Sequence, residues 1–259
     1  MHPRAYTTLA ATEDNGWYYQ ARARCLVRLV ERFVAADKQP LEILDVGCGT
    51  GGTSSVLCRF GRVTGLEPSS IAIELLRQRA APVRVVQGAV DDAATLLDAD
   101  AFDLATIMGV LYHQNVVDPG HALQQVARTL KPGGWLVWNE AVYSILRREH
   151  DDFVETGRRF TPRQMKALLE QAGFSVHFSS HLLAWGFPVG MALGVLHRIR
   201  RRVAGSRAYD EHVSDDRPLP PLLNATLREL TFLEWACALR HIKAPFGVSY
   251  LILARKSAC

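Results

Sequence analysis

The residues best suited to chemistry lie between positions 44 and 67. Leu44-Asp45-Val46-Gly47-Cys48-Gly49-Thr50-Gly51-Gly52 follows a short apolar run and precedes a helical one. Glycines in such a turn let backbone approach a ligand closely, and the start of the helix offers N–H groups that lack partners. Glu67 ends the next apolar run, which begins at Arg62. A carboxylate at that place accepts hydrogen bonds from both hydroxyls of a ribose. The combination points to a nucleoside-containing ligand at the carboxyl ends of parallel strands.

Which nucleoside it is turns on Asp45. Gly47, Gly49 and Gly52 satisfy the dinucleotide pattern G-x-G-x-x-G, which is weakly specific alone. An acid two residues before the first glycine is poorly suited to a pyrophosphate and suits a cationic amino group or its bound water. That favours S-adenosylmethionine, which carries an ammonium and a sulfonium, over a nicotinamide dinucleotide. Plainer roles stay open for single residues. Gly52 could ease helix packing, Glu67 could be a surface acid, Asp91 a helix N-cap, and Cys48 a small packing side chain.

The elements that must position these residues alternate. Apolar runs at 41–47, 62–67, 83–88, 102–108 and 134–140 read as buried strands, and helical stretches near 52–60, 69–80 and 119–130 lie between them. Strand alternating with helix predicts βαβ units and a parallel sheet covered on both faces. Pro132-Gly133-Gly134 reads as a turn before the fifth strand. A helix over 16–36, capped by Asp14 or Asn15, precedes the first strand. After the fifth strand, 143–160 reads as loop or short helix. A Thr161-capped helix to Ala172, a strand at 174–181 and a last strand at 247–255 follow. Two helical segments, near 186–204 and 219–240, fill the gap between those strands around a polar link at 206–217, and the second is expected to pair with the first.

Composition narrows the class. With 259 residues, 48% hydrophobic and 22% charged, the chain buries a core. A formal charge of +4 is too mild to announce a nucleic-acid binder. Five scattered cysteines without a CxxC pair argue against zinc or a disulfide framework and fit a reducing compartment. No signal-peptide-like stretch opens the sequence, and no run of about 20 apolar residues reads as a membrane span. We therefore expect a cytoplasmic protein.

LDVGCGTGG, GLEPS, VQGAVDD, FDLATIMGVLYH and LKPGGWLVWNE, in this order and spacing, resemble the successive motifs of class I S-adenosylmethionine-dependent methyltransferases. The resemblance covers roughly residues 40–180 and the last strand. It implies an α/β Rossmann-like fold, a seven-stranded sheet of order 3-2-1-4-5-7-6 with helices on both faces and strand seven antiparallel. It further implies that Asp45, Gly47, Cys48, Gly49 and Gly51 line the methionine moiety of the cofactor and that Glu67, followed by Pro68, holds its ribose. By the same resemblance Gly88, Ala89, Val90 and Asp91 flank adenine, and Met108 and Gly109 lie beneath the methionine portion. Ala89 stands where the family often has an acid, so Asp91 is the remaining side chain for the adenine amino group.

The resemblance extends to the ends of the chain. Trp17-Tyr18-Tyr19-Gln20-Ala21-Arg22, His150-Asp151, Arg158-Arg159-Phe160-Thr161 and Pro245-Phe246-Gly247-Val248-Ser249 resemble a bacterial methyltransferase subgroup that accompanies glycosyltransferases of cell-envelope glycan assembly. Tyr18 and Tyr19 then close over the cofactor and Arg22 pairs its carboxylate bidentately; alternatively Trp17 and one tyrosine only anchor the first helix. The domains expected are an N-terminal helical cap (1–40), a cofactor-binding domain (41–181 with 246–259) and a helical insertion (182–245).

The insertion carries fifteen uncharged residues, Leu182 to Leu196, followed by His197-Arg198-Ile199-Arg200-Arg201-Arg202. Too short to span a bilayer as a helix, the segment from Trp185 to Arg202 suits the interface of an anionic membrane, at the inner face of the cell membrane. The competing reading is a lid on the domain, and Gly186, Pro188, Gly190 and Gly194 predict a poor rigid helix. A hydroxyl acceptor calls for a general base near neutral pKa. His113 (also beside the cofactor), His150, Glu140 and, less directly, Tyr18 are the candidates. No NPPY- or DPPY-type run follows strand four, which disfavours DNA-base amines, and no trio of carboxylates marks a metal site, so none is expected. The acceptor anticipated is a glycan, a lipid-linked intermediate or another amphiphile. A soluble natural product and a non-catalytic cofactor-binding scaffold are the alternatives.

Overall fold

The computed structural model describes residues 3–35, 39–79, 81–204 and 219–257. In chain order, α1 (Pro3–Thr12) and α2 (Trp17–Phe33) precede β1 (Leu41–Val46), α3 (Gly52–Leu57), β2 (Gly61–Glu67), α4 (Ser70–Arg77) and β3 (Val83–Gln87). Then come α5 (Ala93–Leu96), β4 (Phe102–Met108), α6 (Pro119–Thr129), β5 (Leu130–Ala141), α7 (Glu149–Phe153) and α8 (Pro162–Gln171). The chain closes with β6 (Phe174–Leu182), α9 (Phe187–Ala204), α10 (Pro221–Leu239) and β7 (Ser249–Lys256). The seven strands form one sheet in the order β3-β2-β1-β4-β5-β7-β6, with β7 antiparallel to both neighbours. This is the sheet that the resemblance implied.

Apolar residues on successive positions of the inner strands explain both covered faces. Leu44, Ala105 and Trp138 enter the core under α6 and α8, while Ile43, Leu104 and Val137 enter the core under α2 and α10. The carboxyl ends of β1, β2, β4 and β5 share one rim. Ala141 and Leu182 both pair with Ser249, so the end of β6 and the start of β7 lie on that rim too.

Several expectations are corrected. Helix α1 falls inside the helical cap expected over 1–40 but is not delimited there as an element of its own. Neither Asp14 nor Asn15 caps α2; the cap position is Gly16, and Asn224 of α10 supplies the missing acceptor to Trp17 N–H at 2.8 Å. Asp14 instead pairs with Arg79 at 2.7 Å. Strand β5 starts at Leu130, before the Pro-Gly-Gly, which becomes an irregularity where the register against β4 shifts. Strand β7 starts at Ser249 rather than 247.

The two helices of the insertion do not chiefly pair with each other. Helix α10 lies along α2 and β6, burying Trp235 against Phe178, whereas α9 rests on residues 144–146. Despite its glycines, α9 is a continuous helix. Gly190 and Gly194 form its seam: a Cβ at Gly194 would overlap the Ile145 carbonyl, so only glycine permits this approach. The polar link at 206–217 lies outside the described residues.

Candidate functional site

The glycine loop runs from β1 into α3 with Gly47, Gly49 and Gly51 at φ of 65°, 54° and 92°. Those left-handed conformations are strained for any other residue, and they turn backbone N–H groups toward the rim. Glu67, 4% exposed at the end of β2, takes a hydrogen bond from Gly49 N–H at 3.0 Å on one oxygen. Its other oxygen accepts from Ser69 N–H at 3.0 Å and from the Tyr6 hydroxyl at 3.3 Å. Burial raises the pKa of the Glu67 carboxyl and these donors pull it back. The carboxylate thus stands beside the loop.

Asp45 is placed differently from the expectation. Its two oxygens accept from Ser54 Oγ at 2.6 Å and Thr106 Oγ1 at 2.7 Å, and burial pushes its pKa up to about 6. It braces β1 to α3 and β4, one hydroxyl on each oxygen. The Cys48 thiol is buried against Gly65 and raised by burial, so it packs rather than reacts.

A cavity of about 370 Å³ lies between α2, α3 and the end of β4. Arg22, Met108, Gly52, Thr53 and Glu13 line it, which places Arg22 and Met108 on one cavity. The Arg22 guanidinium lies 5.5 Å from the Tyr18 ring centre and 5.4 Å from that of Tyr19. Burial works against its charge, but Tyr18, Tyr19 and Glu13 outweigh it and hold the pKa above its ordinary value. Trp17 contacts Trp185 at 5.5 Å, which ties this end of α2 to the insertion.

On the adenine side, Gly88 N–H bonds the Glu67 carbonyl at 3.1 Å, Val90 is buried and Pro68 is exposed. Half-buried Asp91 sits in a short 3-10 turn, Val90–Asp92, its carboxyl raised by burial. It does not cap α5, whose preceding residue is Asp92.

On the other side of the rim, Gly109 turns with φ of 80° and donates to the Asn139 carbonyl at 2.9 Å. Glu140 is buried beneath the loop that follows β4. One of its oxygens accepts from Leu111 N–H at 2.7 Å, Val110 N–H at 3.1 Å and Trp138 Nε1 at 3.1 Å, and burial raises its pKa to about 7. That makes Glu140 the anchor of the loop. His113 Nδ1 accepts from Asn115 N–H at 3.2 Å, which leaves the proton on Nε2, 3.4 Å from Glu155. Both ring nitrogens therefore fasten the loop. His150 lies on α7 beside Asp151, whose carboxylate holds Arg159 at 2.8 and 3.0 Å.

The sequence reading missed a pair farther along the rim. His181 faces the Ala244 carbonyl through Nδ1 at 3.1 Å, so Nδ1 must carry the proton. Nε2 then presents its lone pair to the Tyr143 hydroxyl at 2.8 Å, and burial lowers the His181 pKa. Tyr143, directly after β5, adopts φ of 62°, and Phe187 and Tyr250 wall the pair. Its signal was available: a tyrosine just past one strand and a histidine near the end of another that reach the same rim. Tyr6 and Glu13 were missed as well, because α1 was.

Beyond this pair, α9 buries Gly190, Gly194 and His197 and turns Val189 (61% exposed), Leu193, Leu196 and Ile199 (53% exposed) outward. Arg198 donates to the Gly194 and Ile145 carbonyls, and Arg200 lies 3.6 Å from Glu149. Among the described residues, no helix is long and apolar enough to cross a membrane.

The family described as "Methyltransferase domain" matches residues 18–178. A demethylmenaquinone methyltransferase of Clavibacter sepedonicus is 31% identical over 148 residues, covering 55% of this chain and 58% of that protein. A ubiquinone biosynthesis O-methyltransferase of Albidiferax ferrireducens is 32% identical over 118 residues, 44% of either chain. The chain spans about half the length of these curated relatives. In fold, it is similar to a putative sarcosine dimethylglycine methyltransferase from Galdieria sulphuraria, with a TM-score of 0.58 at 18% identity over 91% of this chain and 84% of that one. The matched residues contain the glycine loop, Glu67 and β1 to β5, and on that match the chain belongs to the methyltransferase-domain family.

Proposed function

We propose that the protein transfers a methyl group from S-adenosylmethionine to an oxygen of an amphiphilic acceptor, lipid-linked or glycan-bearing. The observation that carries the cofactor reading is Glu67, held between Gly49 N–H and Ser69 N–H at the end of β2. Glu67 would accept the ribose hydroxyls, Arg22 the carboxylate, and the Gly88–Asp91 turn would flank adenine. Met108 and Gly109 would lie under the methionine portion. When bound, the cofactor supplies an electrophilic methyl on a sulfonium. Protein groups align the acceptor and take its proton. His181 fits the proton-accepting role better than His113 or His150, because its tautomer leaves Nε2 on the Tyr143 hydroxyl. Tyr143 would take the acceptor's proton as it gives its own to Nε2, leaving the acceptor oxygen free to attack the methyl that a bound cofactor would supply, with the sulfonium leaving as a neutral thioether.

The acceptor reading is supported by the apolar outer face of α9 and the arginines that follow it, and by relatives named for menaquinone and ubiquinone chemistry. On this reading α9 lies in an anionic membrane surface at the inner face of the membrane. Each arginine near the surface adds about 1 kcal/mol. Changing Arg198, Arg200, Arg201 and Arg202 together to Gln lowers flotation with phosphatidylserine liposomes and leaves the fold intact; unchanged flotation defeats the membrane reading.

Methyl-labelled S-adenosylmethionine, the purified protein and host-cell extract, partitioned between butanol and water, test the whole reading. Label in butanol is the expected result. Label confined to water makes the protein a small-molecule O- or N-methyltransferase with α9 as a lid. Cofactor binding without label in either phase favours a non-catalytic scaffold. Activity is expected to survive EDTA; loss on chelation with rescue by magnesium would restore a metal to the site.

A further inference from the structure

Helix α1 and the turn after it put one protein group on Glu67 and another beside Arg22, the two residues assigned to the cofactor. The Tyr6 hydroxyl bonds a Glu67 oxygen, the group assigned to the ribose hydroxyls. Seven residues on, the Glu13 carboxylate takes hydrogen bonds from Thr50 Oγ1 and from Gly52 N–H, the latter at 3.2 Å, and an ion pair from Arg79 at 2.6 Å. Glu13 also lines the cavity of Arg22 and feels its charge, and Arg22 is the group assigned to the cofactor carboxylate. Between these two contacts, Leu9 approaches Gly49, the open glycine of the loop: a Cβ there would lie 3.8 Å from the Leu9 side chain. Seven residues are two helical turns, so Tyr6 and Glu13 lie on one face about 10 Å apart.

We propose that Tyr6 and Glu13 set the affinity for S-adenosylmethionine by acting as an internal stand-in for it: a hydroxyl on the ribose acid and a carboxylate at the amino-acid end. The two occupants are mutually exclusive at Glu67, whose second oxygen already serves Ser69 N–H and the Tyr6 hydroxyl. Apparent affinity is then the intrinsic affinity reduced by the fraction of molecules in which α1 has lifted. Gly52 gains a reason as well, since a Cβ there would overlap Glu13 and remove the carboxylate from its seat. This inference rests on the S-adenosylmethionine reading above.

The experiment is calorimetric titration of S-adenosylhomocysteine into the full chain, its Tyr6→Phe and Glu13→Gln variants, and the double variant. Tyr6→Phe removes one oxygen and keeps the ring, and Glu13→Gln keeps the shape. Competition predicts affinity rising about threefold in each variant and about tenfold in the double one. Hydrogen–deuterium exchange on the unaltered chain gives a second reading. Ligand should speed exchange in residues 4–12, opposite to the protection that a ligand ordinarily confers. Equal or weaker binding by the variants, or ligand-induced protection of 4–12, overturns the competition and leaves the cofactor reading standing. Absence of binding by all four proteins overturns the cofactor reading and this inference with it.

Discussion

The two ends of the rim are built from different material. At the Glu67 end, a carboxylate is fixed by backbone N–H groups that lie 18 and 2 residues away along the chain. At the His181 end, an imidazole is fixed by a tyrosine 38 residues away and a carbonyl 63 residues away. Apart from the Tyr6 hydroxyl, the first arrangement depends on main-chain donors close in the chain. The second depends on two side chains and a carbonyl from three separate segments, so a substitution at Tyr143 or His181 should reshape it while the first stays whole. A fold that keeps one ligand and exchanges the other divides its labour in this way.

The largest effect should come from the His181 end. His181→Asn is expected to lower methyl transfer to the extract acceptor about 100-fold or more and to leave S-adenosylhomocysteine affinity unchanged. On the proposed relay the neutral ring is the form that accepts the proton. Burial lowers its pKa, so the unaltered protein should lose rate only below the ordinary histidine range, and the variant should lack that acid limb. A variant that keeps both the rate and the limb would remove His181 from the reaction. At the other end, Glu67→Ala gives up hydrogen bonds to a charged group worth roughly 1.5 kcal/mol each. Affinity for S-adenosylhomocysteine should fall about 100-fold for two such bonds, measured by calorimetry. A fall much smaller than that would leave Glu67 a structural acid and erase the contrast between the two ends.

Glu140, midway between the ends, should act on stability. Its folded-state pKa is raised from 4.5 to about 7, so the folded chain binds that proton more tightly than the unfolded chain. The group therefore costs stability as pH rises through this window, and below it the cost vanishes. Glu140→Gln keeps an acceptor for Val110 and Leu111 and should match the unaltered protein below pH 4, then exceed it by about 3 kcal/mol at pH 8. Urea denaturation at three pH values decides this, and a difference that ignores pH would mean an ordinary carboxyl. The smallest effect belongs to Asn224→Ala, which removes the cap of α2 and should cost about 1 kcal/mol in the same assay.

What could be read in advance follows the same division. The glycine loop, Glu67 and the strands are contiguous patterns with short-range causes, and the sheet order came with the resemblance. Asp45 shows the limit of a motif: its position was legible, but its hydroxyl partners Ser54 and Thr106 were not. Helix α1 escaped because Tyr6 to Thr12 has no clear apolar stripe or cap, and its seat depends on Glu67 and Thr50. The Tyr143–His181 pair escaped because nothing local links the two residues. For α9 and α10, composition misled. Both are apolar, yet one packs along α2 and the other seats Gly190, Gly194 and His197 and leaves most of its apolar side chains outward.

The cap that Asn224 lends to α2 joins residues 207 positions apart. A ribosome adding ~5–20 residues per second needs about 10–40 s to cross that interval. For that time α2 has no acceptor at its amino end, and the surface that later receives Trp235 faces water. The growing chain is thus stickier at α2 until Asn224, made 207 positions later, completes that helix.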